Sequence, residues 1–284
     1  MTAVPQSDVV TRLRAAGCVF AEDEARLLIA AARTPAELAA MVERRAAGLP
    51  LEHVLGWAEF CGLRIAVDPG VFVPRRRTEF LVRQAAALAP LAAGHGRPAV
   101  TRPRTVVLDL CCGAGAVAAA LLAALDHVEL HAVDLDPAAV RCARRNLAAA
   151  GAQVYEGDLY EPLPVALRGR IDVLVANVPY VPTEEIGLLP PEARIHEPRM
   201  ALDGGADGLD ILRRVTVAAP LWLAPGGHLL IETSEGQAPP ATETFARLGL
   251  VPRVARSDEL NATVVIGTRP ATGSGAPPRE TARP

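Results

Sequence analysis

Hydrophobic positions change their period several times along this chain of 284 residues. Between residues 8 and 48, Val9, Val10 and Leu13, then Ala25, Leu27, Leu28 and Ile29, then Leu38, Met41 and Val42 recur at helical spacing. Gly17 and Thr34-Pro35 punctuate these runs, with Thr34 placed to cap a helix whose first residue is Pro35. Short helices with small apolar faces predict a compact N-terminal bundle. Beyond residue 49 the pattern turns β-like, with two runs flanking Gly62 that predict a hairpin and a turn at Asp68-Pro69-Gly70. Arg75-Arg76-Arg77-Thr78-Glu79 then precedes a helical run from Phe80 to Leu91, and residues 92–104 read as an irregular, Gly/Pro/Ala-rich connection. The Arg run reads as a solvated patch or as a local match for a carboxylate or phosphate.

From residue 105 strands and helices alternate. Strands are predicted at Thr105–Leu110, at Val128–Val133 ending on Asp134, around Val154-Tyr155, at Ile171–Val175 and at His228–Glu232. Helices are predicted at Ala116–Ala124, Pro137–Ala150 and Leu209–Leu223. A long proline-rich loop occupies roughly 181–207, and the segments Leu250–Val254 and Thr263–Gly267 suggest a final hairpin. Alternation of this kind argues for a doubly wound α/β domain.

Composition narrows the picture. No apolar run is long enough to cross a membrane as a helix. The N-terminus lacks a basic region followed by an apolar core, so no secretory signal is expected. Five scattered cysteines fit neither a disulfide framework nor a metal site and suit a reducing cytoplasm. A net charge of −3 gives no bulk attraction to nucleic acid. All 29 basic residues are Arg, which removes any Lys nucleophile.

Candidate chemistry gathers at the carboxyl ends of the predicted strands, where open α/β sheets bind ligands. Cys111-Cys112-Gly113-Ala114-Gly115 forms a tight turn into a helix, and its glycines let backbone approach a ligand at a helix N-terminus. Ala118 stands where a dinucleotide fingerprint has its third glycine. Asp109, Asp134 and Asp158 lie at the ends of three successive strands, with Asp134 placed for ribose hydroxyls and Asp158 near an adenine amine. Without a Walker pattern, S-adenosyl-L-methionine fits better than ATP. Farther on, Asn177-Val178-Pro179-Tyr180 closes the apolar strand at Ile171. Pro179 stiffens this turn, which can offer a carboxamide, backbone carbonyls and an aromatic ring to one planar NH2 group, either an amide or an exocyclic base amine.

With these residues in hand, the chain resembles the S-adenosylmethionine-dependent protein-(glutamine-N5) methyltransferases that act on peptide chain release factors. The resemblance rests on Leu51–Gly62, Pro69–Glu79, Val107–Gly115, Val133–Pro137, Gly157–Pro162, Asn177–Tyr180 and Glu197-Pro198, in that order. It implies a Rossmann-like, seven-stranded class I methyltransferase sheet spanning 80–269. A helical substrate-recognition domain at 1–50 and a β-hairpin with its connecting segment at 51–79 would precede that sheet; residues 270–284, beyond the resemblance, are rich in Pro, Gly, Ser, Thr and Arg and are expected to be a disordered tail. It further implies cofactor contacts at Cys111, Cys112, Gly113, Ala114, Gly115, Asp134, Leu159 and Asn177, and a glutamine amide gripped by the Asn177 side chain and a following carbonyl. The family turn is Asn-Pro-Pro-Tyr, so Val178 replaces a proline, and an Arg-Pro-acid-Thr-Glu segment is here Arg75–Glu79. The implied partner is a protein, with no membrane or direct nucleic-acid contact. An adenine-N6 methyltransferase and a cofactor-binding module without catalysis are the competing readings.

Overall fold

The computed structural model describes residues 5–93 and 104–271, so most of the expected 92–104 connection and of the 270–284 tail lies outside the described residues. Helices α1 (Gln6–Ala15), α2 (Ala21–Ala31) and α3 (Pro35–Ala46) enclose their own apolar cluster around Leu13, Ala25 and Leu28. The Thr34 hydroxyl accepts from Glu37 N at 3.1 Å, capping α3 with Pro35 in its first turn. A short helix α4 (Leu51–Leu55) leads to the antiparallel hairpin of β1 (Trp57–Phe60) and β2 (Leu63–Ala66), which turns at Cys61-Gly62, both at positive φ.

The main domain is one seven-stranded sheet. In chain order come α5 (Glu79–Ala93), β3 (Thr105–Leu110), α6 (Ala116–Ala124), β4 (Val128–Asp134), α7 (Pro137–Leu147), β5 (Gln153–Glu156) and β6 (Ile171–Ala176). They are followed by α8 (Pro191–His196), α9 (Asp210–Trp222), β7 (Leu223–Thr233), α10 (Ala238–Arg247), β8 (Val251–Ser257) and β9 (Ala262–Thr268). The strand order is β5-β4-β3-β6-β7-β9-β8, with β9 antiparallel to both of its neighbours and the other pairings parallel. Every residue of β3 and β6 is buried, which accounts for their apolar runs: central parallel strands are covered on both faces. One apolar cluster packs α5, α6, α7 and the hairpin against the sheet, and another packs α9 and α10 against it. The strand order reverses between β3 and β6, so the turns after these strands flank the crevice where such folds bind ligands.

Several expectations change. The stretch 181–207 is not a loop: it holds a 3₁₀ turn at Thr183–Leu188, helix α8 and another 3₁₀ turn at Arg199–Ala201. Its prolines sit before or at the first residue of each helical turn, where a missing N–H costs nothing, so they start turns rather than break them. Helix α10 has no counterpart in the sequence reading; Pro239-Pro240 lies in its first turn, where proline is tolerated. The α7 helix ends at Leu147, and residues 148–150 tighten to 3₁₀ geometry. Strand β7 begins at Leu223 and runs through Pro225-Gly226-Gly227, with a shift in its pairing to β6 between Ile171 and Val173. No described helix is long and apolar enough to cross a membrane.

Candidate active site

The turn between β3 and α6 is closed by its own backbone and its immediate neighbours. Cys111, Gly113 and Gly115 all adopt positive φ, and Gly115 N donates to Cys112 O at 2.8 Å. The two glycines serve different ends. A Cβ on Gly115 would lie 3.2 Å from Ala143 and Leu147, so this glycine lets α6 and α7 approach closely. At Gly113 the corresponding space is open, and the residue lines a cavity of about 550 Å³. Asn146 on α7 clasps the turn to the hairpin by donating to the Ala114 and Ala66 carbonyls and accepting from Ala66 N.

Asp134 at the end of β4 accepts from Gly113 N at 2.8 Å through Oδ2 and from Asp136 N at 2.9 Å through Oδ1. Each oxygen keeps a lone pair for a ligand hydroxyl. Burial pushes the carboxyl above its usual range, against the pull of those backbone N–H groups. Asp109 plays a different part: it is buried, and Oδ2 accepts from Ala118 N at 3.1 Å, anchoring the first turn of α6. Burial lifts its pKa to about 8. Asp158 lines the cavity and is paired with Arg214 of α9 at 2.7 Å. Leu159 beside it also lines the cavity and is held at positive φ. The Cys111 thiol is pushed well up by burial and nearby carboxylates, so it stays protonated and is no nucleophile.

The turn after β6 is held from outside. Asn177 Nδ2 donates to Thr78 Oγ1 at 3.4 Å. Tyr180 Oη donates to Glu232 Oε1 at 3.4 Å, and the Arg77 guanidinium pairs with the same carboxylate at 3.1 Å and lies over the Tyr180 ring. Burial, with Glu232 nearby, raises the tyrosine to about 12, so it remains a neutral donor. Gln237 Nε2 donates to Tyr180 O at 2.8 Å and to Asp207 O at 3.1 Å. Gly204 and Gly208 leave room for the Pro179 and Tyr180 carbonyls, which a Cβ would meet at 2.7 and 2.2 Å. Among the described residues, no hydrogen bond reaches Asn177 Oδ1 or the Val178 carbonyl.

The structure thus brings Cys111, Gly113, Asp134, Asp158, Leu159 and the four residues Asn177–Tyr180 to one cavity, while Asp109, Cys112, Ala114 and Gly115 do not line it. Four residues of the 75–79 run act as a brace, while Arg76 is exposed. Arg75 pairs with buried Glu197 at 2.6 Å, Arg77 with Glu232, Thr78 with Asn177, and Glu79 accepts from Cys61 N at 3.0 Å. Sequence reasoning missed Glu232, Gln237 and Asn146 as supporting residues. Glu232 closes an apolar strand just as Asp134 does, a signal that was there to be used.

Comparisons with known proteins extend this geometry. Residues 98–205 match the methyltransferase small domain family. The release factor glutamine methyltransferase of Geobacter sulfurreducens is 42% identical over 83% of this chain and 79% of its own length. The chain belongs to the release factor glutamine methyltransferase family. It is accordingly an S-adenosylmethionine-dependent methyltransferase with the class I fold. A Streptomyces pristinaespiralis relative, 37% identical over 73% of this chain and 69% of its own length, is named a 4-amino-L-phenylalanine/4-methylamino-L-phenylalanine methyltransferase. A Pyrococcus furiosus methyltransferase of known structure superposes with a TM-score of 0.53 at 17% identity, covering 82% of this chain and 98% of its own. It shares the fold of this methyltransferase.

The cavity suits the cofactor. Its wall combines the open side of Gly113, the half-buried Asp134 carboxylate with lone pairs to spare, and a mostly apolar remainder that includes Leu135, Ala139 and Leu159.

Proposed function

We propose that this methyltransferase modifies the side-chain amide nitrogen, N5, of a glutamine in a peptide chain release factor, at a Gly-Gly-Gln motif. The observation that carries this reading is the pair of unengaged acceptors, Asn177 Oδ1 and Val178 O, on neighbouring residues of one braced turn. A primary amide has two N–H donors in one plane, and two such acceptors take both. Thr78 holds the Asn177 NH2, which leaves the oxygen for the substrate.

S-adenosylmethionine supplies an already activated methyl group, so the chain's own work is placement. Asp134 would hold the ribose hydroxyls, Gly113 and Cys111 would admit the cofactor beside their backbone, and Leu159 and Asp158 would border the adenine. Asn177 and Val178 fix the amide plane and favour the positive charge that builds on nitrogen as the bond forms. Tyr180, locked by Glu232 and Arg77, packs on the amide. The extra proton leaves to solvent after transfer. Residues 1–50 act as the substrate-recognition domain, 51–79 join them to the catalytic domain of 80–269, and the protein works in the cytoplasm. The net charge of −3 weighs against the competing adenine-amine reading, which needs a nucleic-acid track.

The test is mass spectrometry of release-factor peptides containing Gly-Gly-Gln after incubation of the intact factor with enzyme and cofactor. A methyl group on that glutamine is expected. Label appearing only in RNA, or only on a free aryl amine, would overturn the assignment.

A further inference from the structure

The segment that follows β5 is fastened to α9 at two adjacent residues of that helix. Asp158 Oδ2 accepts from Arg214 Nη2 at 2.7 Å. Tyr160 Oη donates to the carbonyl of Val215 at 2.8 Å, and its ring stacks on Trp222 at the end of the same helix. Between these two anchored residues Leu159 is held at a φ of 49°, a conformation that leucine rarely adopts. Strain of this kind persists where the surroundings impose it, and it gathers at ligand sites. Asp158, Leu159, Ile211 and Arg214 all line the main cavity. The neighbouring Arg213 does not, and it is taken up by Asp207 and Asp210. Among the described residues, no hydrogen bond reaches Asp158 Oδ1. The Arg214 side chain is 51% exposed and that of Asp158 31%. An ion pair this open adds little to stability, so holding the fold together does not account for it.

We infer that Arg214 is a positioning residue for cofactor recognition: by occupying Oδ2 of Asp158 it aims Oδ1 at the adenine 6-amino group, and so selects a 6-amino purine over a 6-oxo purine. This role rests on the placement of adenine against Asp158 and Leu159 proposed above. A carboxylate only accepts hydrogen bonds, and adenine offers it a donor at the 6-amino group beside an acceptor at N1. A 6-oxo purine reverses both, with an oxygen at position 6 and an N–H at N1. A freely turning carboxylate would follow that reversal by reaching across to the N1 hydrogen. One held through its other oxygen stays in place and meets the 6-oxo oxygen acceptor to acceptor. Fixing the acid thus converts attraction for adenine into rejection of its 6-oxo counterpart.

The experiment is calorimetric titration of S-adenosyl-L-homocysteine and of its 6-oxo counterpart, S-inosyl-L-homocysteine. The full-length parent, Arg214→Met, Arg214→Lys and Asp158→Ala are compared. The ratio of the two dissociation constants is read within each protein, so a general loosening of the structure cancels, and melting curves verify the fold. The parent is expected to prefer the 6-amino ligand. Arg214→Met should cut that preference by roughly three- to tenfold, in line with the coupling between residues in direct contact. Arg214→Lys, which keeps a cation near Oδ2, should lie between the two. Asp158→Ala should lose the preference. A preference unchanged in Arg214→Met, with both ligands weakened equally or not at all, while Asp158→Ala abolishes it, overturns the role of Arg214 and leaves the adenine placement standing. A preference that survives Asp158→Ala, or that the parent lacks, removes the placement and this role together.

Discussion

The two turns that meet at the cavity are built in opposite ways. The cofactor turn after β3 is a local object. Its hydrogen bonds run within Cys111–Gly115, to Asp134 at the end of the next strand, and to Asn146 on the helix packed beside it. The acceptor turn after β6 is held by residues distant in the chain. Thr78 and Arg77 lie some hundred positions before it, and Glu232 and Gln237 more than fifty after it. A cofactor shared by many enzymes is served by a short, self-contained segment. A particular acceptor is served by a turn whose shape several independent segments set, so those segments can vary and retune it.

That contrast is open to attack by substitution, beginning with the largest effect. Asn177→Ala removes one of the two amide acceptors and is expected to lower turnover by roughly 10²–10³, the loss typical of one transition-state hydrogen-bonding group. Cofactor affinity should stay within about tenfold, a window of roughly 1.4 kcal/mol, by calorimetry. Asp134→Ala is the mirror image. It should weaken cofactor binding by about 1.5–3 kcal/mol for each hydrogen bond to the charged group that is lost. Equal losses of cofactor affinity in the two variants would mean that the turns are not separable.

Gln237→Leu tests the bracing. It strips the donor from Tyr180 O and Asp207 O, and chemical denaturation should show a loss of about 1–3 kcal/mol for the orphaned carbonyls. Turnover should fall with it while cofactor affinity holds. A variant as active and as stable as the parent would show that the acceptor turn needs no strap.

Asp109 sharpens the other side. Its pKa of about 8 in the fold lies above the ordinary carboxylate range, so the fold favours the protonated form. That contribution is full below the unfolded value, and it is lost as pH rises through about 8. Asp109→Asn keeps an acceptor for Ala118 N and stays neutral. Its melting temperature relative to the parent should therefore climb steadily from about pH 4 to above pH 8. A difference that does not change with pH would contradict the burial of a protonated acid there. The smallest effect is expected from Val178→Pro. The Val178 N–H has no partner among the described residues, so a proline removes no bond. It should add about 0.4–1 kcal/mol of stability by restricting the unfolded chain, with turnover preserved.

The same contrast explains how much was legible in the sequence. The β3–α6–β4 stretch reads directly because period, turn glycines and strand-end acids all lie within about thirty residues of one another, and Thr34-Pro35 announces α3 for the same reason. The position of Asn177 was legible from its apolar strand and its proline. Its bracing was not, since nothing local to Gln237 or Glu232 says which distant turn it will meet. Asp109 anchors α6 and does not line the cavity, whereas Asp134 does; a strand-end acid that caps the following helix and one that faces a cavity look alike in one dimension. The 181–207 stretch was misread because proline density signals irregularity unless each proline is placed relative to a helix start.

The central claim is that two acceptors on the acceptor turn grip both hydrogens of one amide. A methylated amide has only one N–H left, so it cannot refill the grip. Exhaustive incubation of release factor with excess cofactor, followed by mass spectrometry of the Gly-Gly-Gln peptide, measures this directly. A single methyl group on the glutamine nitrogen, stable to further incubation, is the expected result. Accumulation of a second methyl on the same nitrogen, the kind of step named for the Streptomyces pristinaespiralis relative, would contradict the two-acceptor account.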